Sequence, residues 1–251
     1  MGGRRRGHDD LLRFHGSVFG RSIWFQPKGF NLFKIRRFLA PAAVLAIGVL
    51  TSNLAAAQSA VSAQSAEGTT QRILVIRHGE KPEAGLGQLA CRGLARAIAL
   101  PDVILAKFGT PQVLFAPNPS HRKPDKGTLY DYIRPLATIE PLAIRAGLPV
   151  DVQLGLEQYK RLVRNLGAAS YAGSLILVAW EHHAAPNIGR ELLKRNGGDP
   201  GLVPKWKDDD FDRIDVIEIA RVPGKPVAAT YRREQQGLDG IPGECPRLPG
   251  R

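Results

Sequence analysis

Cysteine is scarce in this chain, with two in 251 residues, and there is a single methionine. Two thiols exclude a disulfide-stapled miniprotein and a four-thiolate zinc site, so the core must hold by apolar packing. Aromatic residues are few, at 7%, yet 43% hydrophobic and 23% charged residues is an ordinary globular composition. That composition excludes wholesale disorder, collagen and a simple coiled coil. No internal repeat is visible, and the apolar stretch 38–50 has only thirteen residues. At about 1.5 Å per residue it would reach about 20 Å, short of the roughly 30 Å of a bilayer core.

Acidic residues are outnumbered, 23 against 35 Lys and Arg, for a net charge of +12. The excess sits at the front. Residues 1–57 hold nine basic and two acidic residues, which leaves the remaining 194 at only +5. A general affinity for nucleic acid therefore loses its support. The front also has an order: basic Lys34-Ile35-Arg36-Arg37, apolar Phe38 to Leu50, then small residues to Ala57. This is the arrangement of a secretory signal peptide cleaved after Ala57, with a retained membrane anchor as the competing reading. Arg36-Arg37 adds a partial twin-arginine signal. The sequence thus divides into an N-terminal extension and leader (1–57), a flexible Ala/Ser/Gln linker (58–71) and one folded domain (72–251), and predicts an exported protein with no stable membrane span after cleavage.

From Arg72 onward two patterns alternate. Ile73 to Ile76, Val113 to Ala116 and Leu175 to Ala179 are short continuous apolar runs, as a strand buried on both faces requires. Between them Leu89 to Phe108, Ile133 to Ala146 and Leu156 to Leu166 show helical spacing, with a bend or interruption expected at Pro141 and a stop at Gly147. A further helix follows Pro186. Ile214 to Val222 and Val227 to Tyr231, joined by Pro223-Gly224-Lys225-Pro226, read as a hairpin on the sheet edge. The predicted fold class is α/β, a three-layer α/β/α arrangement with a mostly parallel sheet and a C-terminal edge hairpin. Asp208-Asp209-Asp210 with Asp212 reads as a solvated surface turn.

Ligands of an open parallel sheet bind beyond the carboxyl ends of its strands. All four histidines that follow the leader fall there: His78 after the first strand, His121 after the second, and His182 and His183 after the third. Arg77 and Arg122 accompany them. Arginine forks suit phosphate oxygens, and a neutral imidazole can carry a phosphoryl group covalently. The chemistry indicated is phosphoryl transfer without a metal or cofactor, since adjacent histidines usually point apart and no His-x-x-x-His pair is present.

Arg77-His78-Gly79-Glu80-Lys81 after a first buried strand resembles the signature of the histidine phosphatase superfamily, in its phosphoglycerate mutase-like branch. Leu89 to Ala97, with Gly93 and Arg96, resembles the first-helix pattern of that family. Arg134-Pro135-Leu136-Ala137-Thr138 resembles its second phosphate-binding arginine, and Trp180-Glu181-His182 its late histidine. The resemblance covers about half the chain. It implies a phosphoglycerate mutase-like fold and a phosphoric monoester hydrolase acting on small phosphorylated substrates, with His78 as phosphorylated nucleophile and Arg77, Arg134 and His182 around the phosphoryl oxygens. His182 is preferred to His183 because it lies nearer the strand end, and Arg122 is an optional extra contact. For the general acid, a carboxyl kept protonated by burial, Glu181 is the first candidate and Glu157 the second. Glu80 is read as an ion-pair or cap residue. A phosphoanion-binding or envelope interaction protein on the same fold, with little turnover, is the alternative. Cys91 and Cys245 could pair in an oxidising compartment and tie down the C-terminal tail, which sequence alone leaves open.

Overall fold

The computed structural model describes residues 68–245. The leader and most of the linker lie outside the described residues. Among those described, no helix is long and apolar enough to cross a membrane.

The predicted buried runs become the centre of a six-stranded sheet. Strand β1 is Thr69–Arg77, β2 Val113–Phe115, β5 Val150–Asp151, β6 Leu175–Trp180, β7 Arg213–Arg221 and β8 Ala228–Gln235, in the spatial order β5-β2-β6-β1-β7-β8. β5, β2, β6 and β1 run parallel, while β7 is antiparallel to both β1 and β8. β7 and β8 form the expected edge hairpin. In the register of β1 with β6, Arg77 lies opposite Trp180, so both strands reach their carboxyl ends at the same level.

Helices cover both faces. On one, Leu74, Ile76, Leu177 and Ala179 pack with Leu100 and Ile104 of α1 (Cys91–Phe108) and Ile139 and Leu142 of α2 (Arg134–Ala146). On the other, Ile73, Val75, Ile176, Val178 and Trp180 meet Leu162 and Leu166 of α3 (Tyr159–Leu166) and Ile188 and Leu192 of α4 (Ala185–Arg195). Alternate residues of a strand point to opposite faces, so continuous apolar runs are what two covered faces demand.

Several local expectations are corrected. Thr69, Thr70 and Gln71, assigned to the linker by their polarity, extend β1 along β7, and Gln71 is buried with its amide donating to the Leu166 carbonyl. Pro101 sits inside α1, which runs unbroken for 18 residues. It is buried with Ala97, Leu100 and Ile104, and packing of that face outweighs the lost backbone bond. α2 likewise continues through Pro141 and stops where expected, with Gly147 left-handed at φ 66°. The loop after β2 holds an unforeseen hairpin, β3 (Lys123–Asp125) and β4 (Thr128–Tyr130). Its central residues, Lys126 at φ 51° and Gly127 at φ 83°, are both positive, as a tight two-residue hairpin turn demands.

Glu80 and Gly93, 13 residues apart in sequence, touch. A Cβ on Gly93 would lie 2.8 Å from the Glu80 backbone nitrogen and closer still to its carbonyl oxygen. The Arg96 guanidinium meets the Glu80 carboxylate at 2.8 Å. The first-helix glycine and arginine therefore clamp the loop that leaves β1. Gly93→Ala is expected to destabilise by about 2 kcal/mol, because overpacking against backbone outweighs the roughly 1 kcal/mol that alanine gains in a helix. Urea unfolding checks this, and a variant more stable than the wild type would refute the packing. Arg96 is buried and also bonds Asp212, Gln236 and Asp239, fastening the segment after β8. Asp212 is accordingly a buried ion-pair partner, not part of a solvated turn, since Arg96 takes it out of water. Cys91 and Cys245 are joined in a disulfide, with Cα atoms 4.3 Å apart, which ties the same tail to the start of α1.

Candidate active site

A cavity of about 180 Å³ opens beyond the carboxyl ends of β1 and β6. β1 delivers Arg77 and His78, the turn after β6 delivers Glu181, His182 and His183, and the start of α2 delivers Arg134. The β3–β4 hairpin adds Lys123 and Asp125, which sequence reasoning missed, and Tyr132 follows it. The residues predicted from three separate segments thus line this one cavity.

His78 is almost wholly buried, at 2% exposure. Its Nδ1 lies 2.7 Å from the Gly79 carbonyl oxygen. A carbonyl can only accept, so Nδ1 carries the proton and Nε2 keeps its lone pair. Burial first, then the charges of Arg134 and Arg77, hold the imidazole pKa well below 6.5, against the opposing pull of the Gly79 hydrogen bond and Glu181. The ring is neutral at pH 7, as a nucleophile must be. Gly79 is held in turn, its N–H donating to the Thr138 hydroxyl of α2.

Arg77 is anchored by the acidic loop. It donates to the Asp208 carbonyl at 2.5 Å, and its guanidinium lies 3.9 Å over the Phe211 ring. Arg134 donates to Asp125 at 2.5 Å, and Lys81 reaches the other oxygen of that carboxylate at 3.3 Å. Burial works to raise the Asp125 pKa, but Arg134 and Lys81 outweigh it and leave the carboxyl below its ordinary value. Among the described residues, five buried side-chain polar atoms have no hydrogen-bond partner. Four belong to this cleft: Arg77 Nε, Arg134 Nε, the Tyr132 hydroxyl and His182 Nδ1.

β6 ends at Trp180 and the chain turns at once, with the Glu181 carbonyl accepting from Ala184 and Ala185. Strict strand alternation would have separated Glu181 from His182, but the turn lets both face the cleft. His182 spans two carboxylates, with Nδ1 2.9 Å from Glu181 and Nε2 3.0 Å from Asp208. The first of these distances is short, yet the atoms are poorly aligned for a hydrogen bond, and Nδ1 remains without a partner. His183 is exposed, but it does not point away from its neighbour: the two rings lie 3.9 Å apart.

The expectation that burial keeps Glu181 protonated is corrected. Burial does act to raise its pKa, but the contact with His182 and the charge of Lys123, 3.3 Å away, together bring it to about 2. In this cleft Glu181 is an anion. Glu157, the second candidate, is exposed on the 3-10 turn before α3 and does not line the cavity. His121 packs against Gly155, and Arg122 pairs with Asp131 at the surface, so neither reaches the site.

These shifts predict acid lability. Glu181, lowered from 4.5 to about 2, contributes stability that is complete above pH 4.5 and is lost as pH falls toward 2. The loss is on the order of 3 kcal/mol. His78 stays neutral when folded but takes up a proton near pH 6.5 when unfolded, so stability also declines as pH drops below 6.5. Urea titrations from pH 7 to pH 3 should show both falls. Glu181→Gln should remove the lower one, and an unchanged profile in that variant would refute the assignment.

No family model matches this chain, and no curated protein does. Solved structures do. A mycobacterial hydrolase 2 aligns over 65% of this chain and 89% of its own, with 15% identity and a TM-score of 0.44. A mycobacterial glucosyl-3-phosphoglycerate phosphatase bound to inorganic phosphate aligns over 64% and 95%, with 16% identity and a TM-score of 0.39. A mutant phosphoserine phosphatase from Entamoeba histolytica in complex with phosphoserine aligns over 67% and 98%, with 12% identity and a TM-score of 0.34. At these values they are likenesses only. The mostly parallel sheet with its edge hairpin is the expected fold class, and Arg77, His78, Arg134 and His182 line one strand-end cleft.

Proposed function

We propose that this chain is an exported, metal-independent phosphatase that hydrolyses small phosphomonoesters through a phosphohistidine on His78. One observation carries the reading: a buried, neutral imidazole with its Nε2 lone pair free stands in a small cleft where Arg77, Arg134 and Tyr132 keep polar atoms unpaired. A phosphoryl group supplies oxygen acceptors for those donors and an electrophile for that lone pair.

In the first step Nε2 attacks phosphorus, the N–P bond forms and the P–O bond to the leaving group breaks. Arg77, Arg134 and His182 hold the charge spread over the equatorial oxygens. The departing alkoxide needs a proton, and Glu181 is the carboxyl placed to give it. A phosphate dianion beside Glu181 repels its negative charge and competes for Lys123 and His182, which reverses the influences that hold it ionised. Water then cleaves the N–P bond, with Glu181 accepting the proton.

The ionised state of Glu181 also favours a second reading, a phosphoanion-binding protein with little turnover. One experiment separates the two. The purified chain is mixed with a chromogenic aryl phosphate, quenched in acid and in base, and mapped by mass spectrometry. An acid-labile, base-stable phosphoryl group on the His78 peptide, with turnover unaffected by EDTA, supports the phosphatase. Folded protein that binds phosphate but gives neither adduct nor product establishes the binder. Export rests on the basic, apolar and small order of residues 34–57, and N-terminal sequencing of the mature protein should begin at Gln58.

A further inference from the structure

We infer that Glu181, His182 and His183 form a binding site for a borderline transition cation of the Zn²⁺ class, and that its occupation switches the cleft off. One ligand atom from each residue lies within 4.8 Å of the others. Glu181 Oε1 stands 2.9 Å from His182 Nδ1 and 3.8 Å from His183 Nε2. Three ligands of a tetrahedral zinc, each bonded at about 2.0–2.1 Å, sit roughly 3.3–3.4 Å apart, between those two distances. Small side-chain rotations close the site.

A second observation points to a cation there. His182 Nδ1 is buried and has no aligned hydrogen-bond partner, yet it faces a carboxylate oxygen. On the far side of the ring Asp208 Oδ1 lies 3.0 Å from Nε2. A carboxylate that takes the N–H of one ring nitrogen leaves the other as a metal donor, the usual outer support of a ligating histidine. Two imidazoles and one carboxylate suit zinc and its neighbours, whereas Mg²⁺ and Ca²⁺ prefer oxygen alone. Lys123, 3.3 Å from the same Oε1, must move aside, and its side chain is partly exposed and free to do so. Adjacent histidines can share an ion here only because the chain turns straight after β6 and brings their rings together.

A bound ion takes both Glu181 and His182 away from the phosphoryl group, so the site is inhibitory. This inhibition, but not the binding, rests on the phosphatase reading. The test is calorimetric titration of the EDTA-stripped full chain with Zn²⁺ alone, in wild type, His183→Gln and Asp208→Asn. The glutamine variant should bind one equivalent fewer. The asparagine variant should keep that equivalent with about 10–100-fold weaker affinity. Equal stoichiometry and affinity in all three chains would overturn the site, and so would equally tight binding of Mg²⁺ by the wild type. With the aryl phosphate, one bound Zn²⁺ should abolish wild-type turnover and leave His183→Gln turnover intact. Activation by Zn²⁺ would overturn the inhibitory role. A chain that takes up zinc as described but has no turnover without it would remove the phosphatase reading and leave the site standing.

Discussion

The His78→Ala chain is expected to lose phosphomonoesterase activity by about 10⁴-fold or more, because the covalent route disappears with the imidazole and a residual rate comes only from the oxygen-binding groups. The fold should persist. His78 caps the end of β1 against Tyr132 and Phe211, outside both apolar clusters, and the backbone around it is fixed by Gly93, Thr138 and Arg96 rather than by the ring. Circular dichroism and urea unfolding check the fold, and aryl phosphate turnover checks the chemistry. The variant should also keep its affinity for inorganic phosphate, read as a rise in Tm with added phosphate, since Arg77 and Arg134 are untouched. A folded variant with more than a tenth of wild-type activity would exclude His78 as nucleophile.

The second large effect concerns Arg134 and Asp125, a pair at 2.5 Å with both side chains 5% exposed. Removing one member of a buried pair typically costs about 3–5 kcal/mol, because the other charge is left without compensation. Arg134→Met should destabilise by that amount and abolish phosphate protection, leaving Asp125 with only the half-exposed Lys81. Asp125→Asn should behave differently. It also weakens the empty fold, but it frees the Arg134 guanidinium for phosphate oxygens. Phosphate should then bind about tenfold more tightly, the worth of one charge-assisted hydrogen bond no longer contested. On this reading Asp125 competes with a phosphoryl group for the Arg134 guanidinium. Thermal shifts across a phosphate series in the three chains decide the matter, and an Asp125→Asn affinity equal to wild type would dismiss that role.

How much was legible beforehand follows from the range of each interaction. The central strands β1, β2 and β6 were readable as continuous apolar runs, because burial on two faces writes itself into consecutive residues. The reactive side chains were readable as candidates because they follow those runs directly. β5 and the β3–β4 hairpin were not readable, being two or three residues per strand and set among prolines and glycines. Lys123 and Asp125 were missed with the hairpin that carries them. Asp125 is nine residues from Arg134, and no helical or strand period links the two.

The sequence by itself determined the layers, the strand ends and the residues available there, since apolar periodicity and side-chain chemistry are local properties. Only the tertiary structure decided which charges face one another. Asp212 became a core ion-pair partner when Arg96, 116 residues away, reached it. Asp208 came to bracket His182, and the acidic loop came to offer its carbonyls to Arg77. Glu181 became an anion beside Lys123 and His182, against burial, which by itself acts to raise its pKa. Protonation and pairing energies depend on distances of 3–4 Å and on the exclusion of water, and both are set by packing between segments far apart in the chain.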